Sequence, residues 1–271
     1  MVNILISGYY GFDNIGDESI LRTLVSSLRE HIPDCSLTVL SHNPASTREK
    51  YGVEAVDRMS PMAILRAVKK CDMLISGGGS LLQDVTSSKS LHYYLSIIRC
   101  AEFFHKKVFI YSQGIGPIDR PGNRRAAAAA LKRADGIVVR DERSAALLEE
   151  IGIARDKVVI TADPVIRMKK PDGDVGAEIL RKAGVSLDGR LTVGWAIRER
   201  DTDSRFVKEL LRSIQMMKDK YNAQSVLIPF HYEEDGEVCR HIAAQLPDDT
   251  AVCLNEKYLS SRRPSGLRKT R

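Results

Sequence analysis

The amino-terminal segment is the feature that most constrains the fold of this chain. Its apolar pattern predicts a buried strand over residues 2–6 and an amphipathic helix over residues 19–28. Between them lies a glycine-rich turn, residues 8–17. In open α/β sheets, a turn from the carboxyl end of a strand to the start of a helix is where ligands bind. We therefore expect an α/β protein that holds a ligand at this turn.

The residues of the turn restrict the kind of ligand. Gly8, Gly11 and Gly16 are spaced too widely for a dinucleotide fingerprint, and no Walker lysine follows. Asp17 and Glu18, at the predicted helix start, would repel a phosphate. The turn favours a polar, hydroxyl-rich ligand, or chemistry that needs a carboxylate.

The rest of the chain predicts a doubly wound α/β architecture, because strand patterns alternate with helix patterns. We predict a first Rossmann-like domain over residues 1–168 and a linker over 169–176, where Lys, Pro, Asp and Gly cluster. A second Rossmann-like domain over residues 177–259 has only two or three predicted strands and is therefore incomplete. Residues 260–271 form a basic tail without apolar periodicity, predicted to be disordered.

Composition excludes several classes of protein. The net charge is +6, but five of the 41 Lys and Arg residues lie in the last ten positions, so the body is nearly neutral and no nucleic-acid partner is expected. The tail is either a functional basic segment or sequence foreign to the fold, such as the product of a shifted reading frame.

No apolar run reaches the roughly 18 residues of a spanning helix. The five cysteines are scattered, which fits a cytoplasmic location.

Four loops at predicted strand ends carry the candidate site residues, and they should converge on one crevice: residues 8–17, 77–84, 113–117 and 140–143. In the first loop, Asn14 and Gly16 are predicted to bind ligand, with Asp17 as a base or hydroxyl anchor. The alternative is that Asn14 or Asp17 only caps the helix.

The second loop contains three consecutive glycines. Gly77, Gly78 and Gly79 would let a ligand approach the backbone closely, or would serve a tight turn that needs positive φ. Gln83 would hydrogen-bond a sugar or cap a helix.

The third and fourth loops supply an amide and a guanidinium. Gln113, followed by Gly114, must find a partner in a ligand or in a neighbouring loop backbone. Arg140 could bind a carboxylate or phosphate of a ligand through two parallel hydrogen bonds, or form an ion pair with Asp141 or Asp163.

The predicted second domain adds two candidates. Arg198 ends a strand there, and His231 follows another, so both are predicted to contact ligand or, alternatively, to be ordinary surface residues. The six histidines show no zinc-ligand spacing, and we predict no metal site.

Five motifs in chain order give the sequence a family resemblance. They are residues 7–18, 76–84, 112–117, 139–144 and 162–164. With them the chain resembles the polysaccharide pyruvyl transferase family, in particular its CsaB-like branch, over residues 1 to about 259.

This resemblance implies a GT-B-like arrangement of two domains and a reaction. The family moves the enolpyruvyl unit of phosphoenolpyruvate, as co-substrate and without a further cofactor, onto two hydroxyls of one sugar to form a pyruvate ketal. In this branch the implied acceptor is N-acetylmannosamine on a lipid-linked cell-wall precursor. The implied location is the cytoplasm, with peripheral association at the inner face of the membrane, and the polymer serves to anchor S-layer proteins.

The resemblance also implies roles for individual residues. Asp17 would accept the hydroxyl proton, and Arg140 and Arg198 would neutralise the donor. The family continues into an Arg-Leu-His type motif that serves the donor, and this motif is absent here, where the basic tail stands. We therefore expect a truncated or frame-shifted carboxyl terminus and a chain that is inactive or weak alone. A GT-B sugar-nucleotide glycosyltransferase and a non-catalytic sugar-binding or adaptor protein are the alternatives.

Overall fold

The structure, a computed structural model, describes residues 1–85, 87–170, 173–198, 203–231 and 234–254. The described residues divide into two compact units. The first unit comprises Met1–Phe12 and Gly16–Met168. The second comprises Asp13–Ile15 together with the described residues from Lys169 onward.

The first unit is built on a parallel sheet of seven strands, ordered β3-β2-β1-β4-β5-β6-β7. The strands are β1 (Val2–Tyr10), β2 (Cys35–Ser41), β3 (Glu54–Asp57), β4 (Met73–Gly77), β5 (Lys107–Gln113), β6 (Gly136–Val139) and β7 (Val158–Ile160). The direction of winding reverses between β1 and β4, so the carboxyl ends of these two strands form the topological switch point of the sheet.

Helices cover both faces of this sheet. They are α1 (Ile15–His31), α2 (Pro44–Tyr51), α3 (Pro61–Lys70), α4 (Ser88–Phe103), α5 (Pro121–Leu131) and α6 (Glu142–Glu150). The alternation along β1 explains the two layers: Ile4 and Ile6 pack with Leu21 of α1, whereas Leu5 packs into the cluster that contains Leu91 of α4. Each such fully buried side chain contributes about 1.5–3 kcal/mol of transfer free energy.

The second unit has a parallel sheet of three strands in its described part, ordered β10-β9-β8. Its elements are α7 (Gly173–Lys182), β8 (Thr192–Ile197), α8 (Ser204–Tyr221), β9 (Gln224–Pro229), α9 (Glu234–Ala243) and β10 (Ala251–Cys253). Leu210, Leu227 and Ile242 form the core on one face of the sheet, and Val185 and Val226 belong to the core on the other.

The structure corrects several predicted boundaries. Strand β1 runs to Tyr10 and helix α1 begins at Ile15, so the predicted turn of residues 8–17 is much shorter. The sequence patterns do not predict helix α2 or strand β3, which follow β2 in the structure.

The predicted linker of residues 169–176 is also too long, because α7 begins at Gly173. That helix forms because Ile179 and Leu180 pack against the sheet of the second unit. The predicted tail, residues 260–271, lies outside the described residues. Among the described helices, none combines the length and the apolar character needed to cross a lipid bilayer.

Candidate functional site

The carboxyl ends of β1 and β4 approach each other closely at the switch point. The hydroxyl of Tyr10, a fully buried residue, donates a hydrogen bond to the carbonyl of Gly77 at 2.8 Å. A Cβ on Gly8 would lie 2.4 Å from the same carbonyl oxygen and 2.2 Å from the Tyr10 ring. Gly8 therefore permits a strand contact that no other residue would allow.

A buried glutamate holds the turn that follows β1. Glu18 Oε1 accepts a hydrogen bond from the backbone N–H of Gly11 at 2.8 Å, and Glu18 Oε2 accepts one from the Tyr51 hydroxyl. Gly11 has φ +83°, and a Cβ there would lie 2.2 Å from Ser41 Oγ. No role of Glu18 beyond its charge was predicted, and in the structure its two carboxylate oxygens anchor the turn.

Asp17 lies in the first turn of α1 and faces the loop after β4. Its Oδ1 accepts a hydrogen bond from the backbone N–H of Gly79 at 3.1 Å. Burial is the largest influence on this carboxyl and raises the pKa of Asp17 to about 6. The Gly79 hydrogen bond and the charges of Arg140 and Arg58 act in the opposite direction. The acid is thus placed between two loops, with a pKa suited to proton transfer near neutral pH.

The loops after β4, β5 and β6 are held together by backbone hydrogen bonds. The N–H of Gly114 donates to the carbonyl of Gly79 at 2.8 Å, and the N–H of Gly116 donates to that of Leu82 at 2.7 Å. The N–H of Ile115 donates to Ser144 Oγ at 2.8 Å. The structure therefore brings the predicted second, third and fourth loops together at one edge of the sheet.

The glycines of the second loop differ in their roles. Only Gly78 has positive φ, +154°, whereas a Cβ on Gly79 would lie 3.4 Å from Asp17 Oδ1. Gly77, the last residue of β4, would accept a Cβ at ordinary contact distances. A Cβ on Gly114 would lie 2.6 Å from Ser80 Oγ, so this glycine is required for the close approach of the two loops.

The two predicted glutamines have hydrogen-bond partners within the first unit. Gln113 is fully buried, and its Nε2 donates to the carbonyl of Ser76 at 3.1 Å, so a neighbouring loop backbone is one of its partners. Its Oε1 is buried without a hydrogen bond within the described ranges. Gln83 Oε1 accepts a hydrogen bond from the N–H of Val85 at 2.8 Å, which is a local turn contact.

Arg140 links the loop after β6 to two neighbours. Its Nη1 pairs with Asp163 Oδ2 at 2.7 Å, and its Nη2 donates to Ser80 Oγ at 3.2 Å. Asp141 lies further from it, with Nε and Oδ2 3.9 Å apart. The ion pair with Asp163 is one of the alternatives predicted for this arginine.

Three predicted residues belong to the second unit. Asn14 forms an isolated antiparallel bridge with His231 there. His231 donates its backbone N–H to Asp235 Oδ2 at 2.6 Å, and its Nδ1 lies 3.6 Å from Glu234 Oε2. Arg198 follows β8 and is exposed. In the parts of the chain that the structure covers, no cluster of three or more His, Cys, Asp or Glu residues could hold a metal ion.

Arg58 is a residue of the site that the sequence reasoning missed. It follows β3, is only 7% exposed, and donates from Nη1 to the carbonyl of Gly8 at 3.0 Å. Its signal in the sequence is indirect and consists of aromatic residues in two distant segments, Tyr9–Phe12 and Tyr93–Tyr94.

Comparison with known sequences identifies the family of the chain. The family profile described as polysaccharide pyruvyl transferase matches residues 14–265. The chain belongs to the polysaccharide pyruvyl transferase family. A curated relative, the amylovoran biosynthesis protein AmsJ of Erwinia amylovora, is 24% identical over 239 residues. The match covers 73% of this chain and 57% of AmsJ, so the chain spans little more than half the length of that relative.

Comparison with solved structures confirms the predicted fold class, α/β with two Rossmann-like units of the GT-B-like type. The UDP-GlcNAc 2-epimerase of Neisseria meningitidis bound to UDP-GlcNAc is similar with a TM-score of 0.62 and 15% identity, over 96% of this chain and 74% of the epimerase. The epimerase of Methanocaldococcus jannaschii gives a TM-score of 0.60 and 12% identity, over 96% and 76%. At this level of identity the similarity concerns the fold alone.

Proposed function

We propose that this chain is an enzyme that transfers a pyruvyl group from phosphoenolpyruvate to two hydroxyls of one sugar during polysaccharide synthesis. The observation that carries the proposal is the carboxyl of Asp17, which is partly buried at the switch point of a family member and bound to the loop after β4. A group with a pKa of about 6 is mostly ionised at neutral pH and can accept a proton there.

The reaction needs proton transfers but no redox change. Protonation of the donor at C3 makes its methylene a methyl group and leaves C2 electrophilic. One sugar hydroxyl attacks C2 as its proton passes to Asp17, and the C2–O bond to phosphate breaks. The second hydroxyl then attacks C2 and loses its proton, which closes the ketal. One of the two hydroxyl protons balances the proton gained at C3, and the other leaves with phosphate or solvent.

The charge of the donor requires cationic partners. Arg140 is placed at the same edge of the sheet as Asp17, and its charge lowers the pKa of that acid. We propose that Arg140 and Arg198 bind the carboxylate and phosphate of the donor. Gln113, with its buried Oε1, and the loop glycines are proposed to bind the acceptor, together with Asn14, Gly16, Gln83 and His231.

The proposed acceptor is N-acetylmannosamine on a lipid-linked cell-wall precursor, as in the CsaB-like branch. The proposed location is the cytoplasm, with peripheral association at the inner face of the membrane. The only co-substrate is phosphoenolpyruvate, and no other cofactor enters the proposed reaction.

The test is phosphate release by the purified chain. The chain is incubated with phosphoenolpyruvate and an aryl glycoside of N-acetylmannosamine, with the aryl glycosides of glucose and galactose in parallel reactions. We expect weak phosphate release that requires both the donor and one of these sugars. Release of nucleotide from a sugar nucleotide, with no phosphate from phosphoenolpyruvate, would refute the proposal in favour of a glycosyltransferase.

A further inference from the structure

Helices α3 and α4 lie side by side in the first unit and share one outer surface. Both contribute side chains to the same core cluster, and the two helices contact each other. Near the start of α3, the hydroxyl of Tyr93 donates a hydrogen bond to the backbone carbonyl of Arg58 at 2.9 Å. At the other end, Lys69 Nζ lies 5.1 Å from the ring centroid of Phe104, the residue after α4. The outward faces of the two helices therefore adjoin, and we call them the α3–α4 surface.

The exposed ionic side chains of α3 and α4 are all basic. The two helices contain five Lys and Arg residues, and all five are exposed: Arg66, Lys69 and Lys70 in α3, and Lys89 and Arg99 in α4. Their single acidic residue, Glu102, is buried. Among the residues that the structure describes, none forms an ion pair with any of these five side chains. The positive charge is therefore not balanced locally, and the surface attracts an anionic partner.

Large apolar side chains are exposed among these charges. Met59, which precedes α3, is 68% exposed, Met62 of α3 is 57% exposed, and Phe103, the last residue of α4, is 75% exposed. Met62 lies four positions before Arg66, and Phe103 lies four positions after Arg99, so each shares a helical face with a basic residue. A single exposed apolar residue needs no explanation, but two adjacent helices here combine exposed apolar and basic side chains.

This combination fits the surface of an anionic lipid bilayer. Basic side chains are attracted by acidic lipid headgroups, while Phe and Met side chains enter the boundary between the headgroups and the acyl chains. Each Lys or Arg near an anionic leaflet raises the affinity about fivefold. The phosphate backbone of a nucleic acid would attract the same charges but would leave Met62 and Phe103 in water. The exposed apolar residues therefore favour a bilayer as the partner.

We propose that the α3–α4 surface binds anionic membranes and is the part of the first unit through which the protein reaches a lipid-linked substrate. Helix α4 follows the loop after β4, in which the backbone N–H of Gly79 is bonded to Asp17. Contact of α4 with a bilayer would hold this loop near the lipid headgroups. That purpose rests on the proposed function, whereas the binding itself does not and can be measured without turnover.

The experiment is co-sedimentation of the purified chain with lipid vesicles. One set of vesicles contains phosphatidylcholine alone, the other contains equal amounts of phosphatidylcholine and phosphatidylglycerol, and both are used at low and at high salt. The first variant, Arg66→Gln with Lys70→Gln, removes two charges of the surface. Lys208→Gln with Arg212→Gln is the matched control, because these two exposed residues are also four positions apart on a helix, α8, which belongs to the second unit. Phe103→Ser tests the apolar contribution separately.

We expect the wild type to bind the anionic vesicles, to be released from them by high salt, and to bind the neutral vesicles much more weakly. Arg66→Gln with Lys70→Gln should lower the affinity roughly 10- to 30-fold, and Phe103→Ser should lower it about three- to tenfold. The control pair should bind like the wild type. Equal binding to both kinds of vesicle, or an equal loss of affinity in the control pair, would overturn the proposal.

Three other outcomes distinguish this proposal from its neighbours. Binding of a DNA duplex in place of the anionic vesicles, unaffected by Phe103→Ser, would overturn it in favour of a nucleic-acid partner. Vesicle binding by a chain that releases no phosphate from phosphoenolpyruvate would uphold the membrane surface and refute the proposed function. Phosphate release with a soluble aryl glycoside, without any vesicle binding, would uphold the proposed function and overturn the membrane surface.

Discussion

Replacement of Asp17 by asparagine should stabilise the protein at neutral pH, although it removes the proposed catalytic group. Burial raises the pKa of Asp17 from 3.8 to about 6, so the folded state binds the proton more tightly than the unfolded state. Stability from this group is fully present below pH 3.8 and is lost as the pH rises through about 6. A difference of about two pH units corresponds to about 3 kcal/mol at pH 7.

Asparagine avoids this cost because it is neutral at every pH and its Oδ1 can still accept the Gly79 N–H. We expect Asp17→Asn to raise the free energy of unfolding by about 1–3 kcal/mol at pH 7 and by less than about 0.5–1 kcal/mol at pH 4. The difference between variant and wild type should therefore grow across the interval from pH 4 to pH 6.

The assay is urea unfolding at several pH values, followed by the near-ultraviolet circular dichroism of tyrosine. The single tryptophan, Trp195, lies in the second unit and would report the wrong part of the chain. Asp34→Asn is the control, because Asp34 is an exposed aspartate of the same unit. A variant that is less stable than the wild type at pH 7, or a difference that does not depend on pH, would refute the reasoning about Asp17.

Three further predictions concern the loops around the site. Asp84→Asn should destabilise the protein by roughly 2 kcal/mol at neutral pH. Asp84 accepts hydrogen bonds from the backbones of Asp119 and Arg120, which outweigh the opposing effect of burial and lower its pKa below 3.8. The destabilisation should shrink as the pH falls below 3.8 and vanish below the lowered pKa of the folded state, so urea unfolding should show a smaller loss at pH 3 than at pH 7. Gly8→Ala should lower the free energy of unfolding by about 1–3 kcal/mol, because the new Cβ would clash with the Tyr10 ring. Gly122→Ala is the control, because nothing lies within 4 Å of its Cβ, and it should be neutral or stabilising in thermal unfolding. Equal melting temperatures of the two variants would contradict this. Arg140→Lys should change the free energy of unfolding by less than about 1 kcal/mol. It should raise the KM for phosphoenolpyruvate about tenfold or more, because lysine cannot contact Asp163 and Ser80 in the same way. An unchanged KM in a steady-state phosphate assay would show that Arg140 does not bind the donor.

The βα alternation was predictable because it depends on local apolar periodicity. The pattern of residues 61–70, with Pro61 near its start, predicts a helix, and α3 has these bounds. The same reasoning missed α2, although Asn43 caps that helix, Pro44 opens it and Gly52 ends it. The short, polar helix has little amphipathic pattern, and Arg48 joins it to β3 by donating to the carbonyl of Ala55 at 2.8 Å.

The site was predictable only in part, because its contacts join residues far apart in the sequence. The length of β1 depends on Tyr10, whose hydroxyl reaches Gly77, 67 positions away. The burial of Arg58 depends on Tyr93 and Tyr94 of α4, whose rings pack against its guanidinium. A strand-end motif indicates which loops meet, but the partners of a buried cation follow from packing that no local pattern contains.

If Asp17 acts as a base in ketal formation, its replacement must slow the appearance of the ketal product. The purified chain is incubated with phosphoenolpyruvate labelled with ¹³C at C2 and the aryl glycoside of N-acetylmannosamine, and the product is observed by carbon NMR. We predict a ketal carbon signal for the wild type and a rate at least about 100-fold lower for Asp17→Asn, which remains folded. Ketal formation by Asp17→Asn at the wild-type rate would show that Asp17 is not the base.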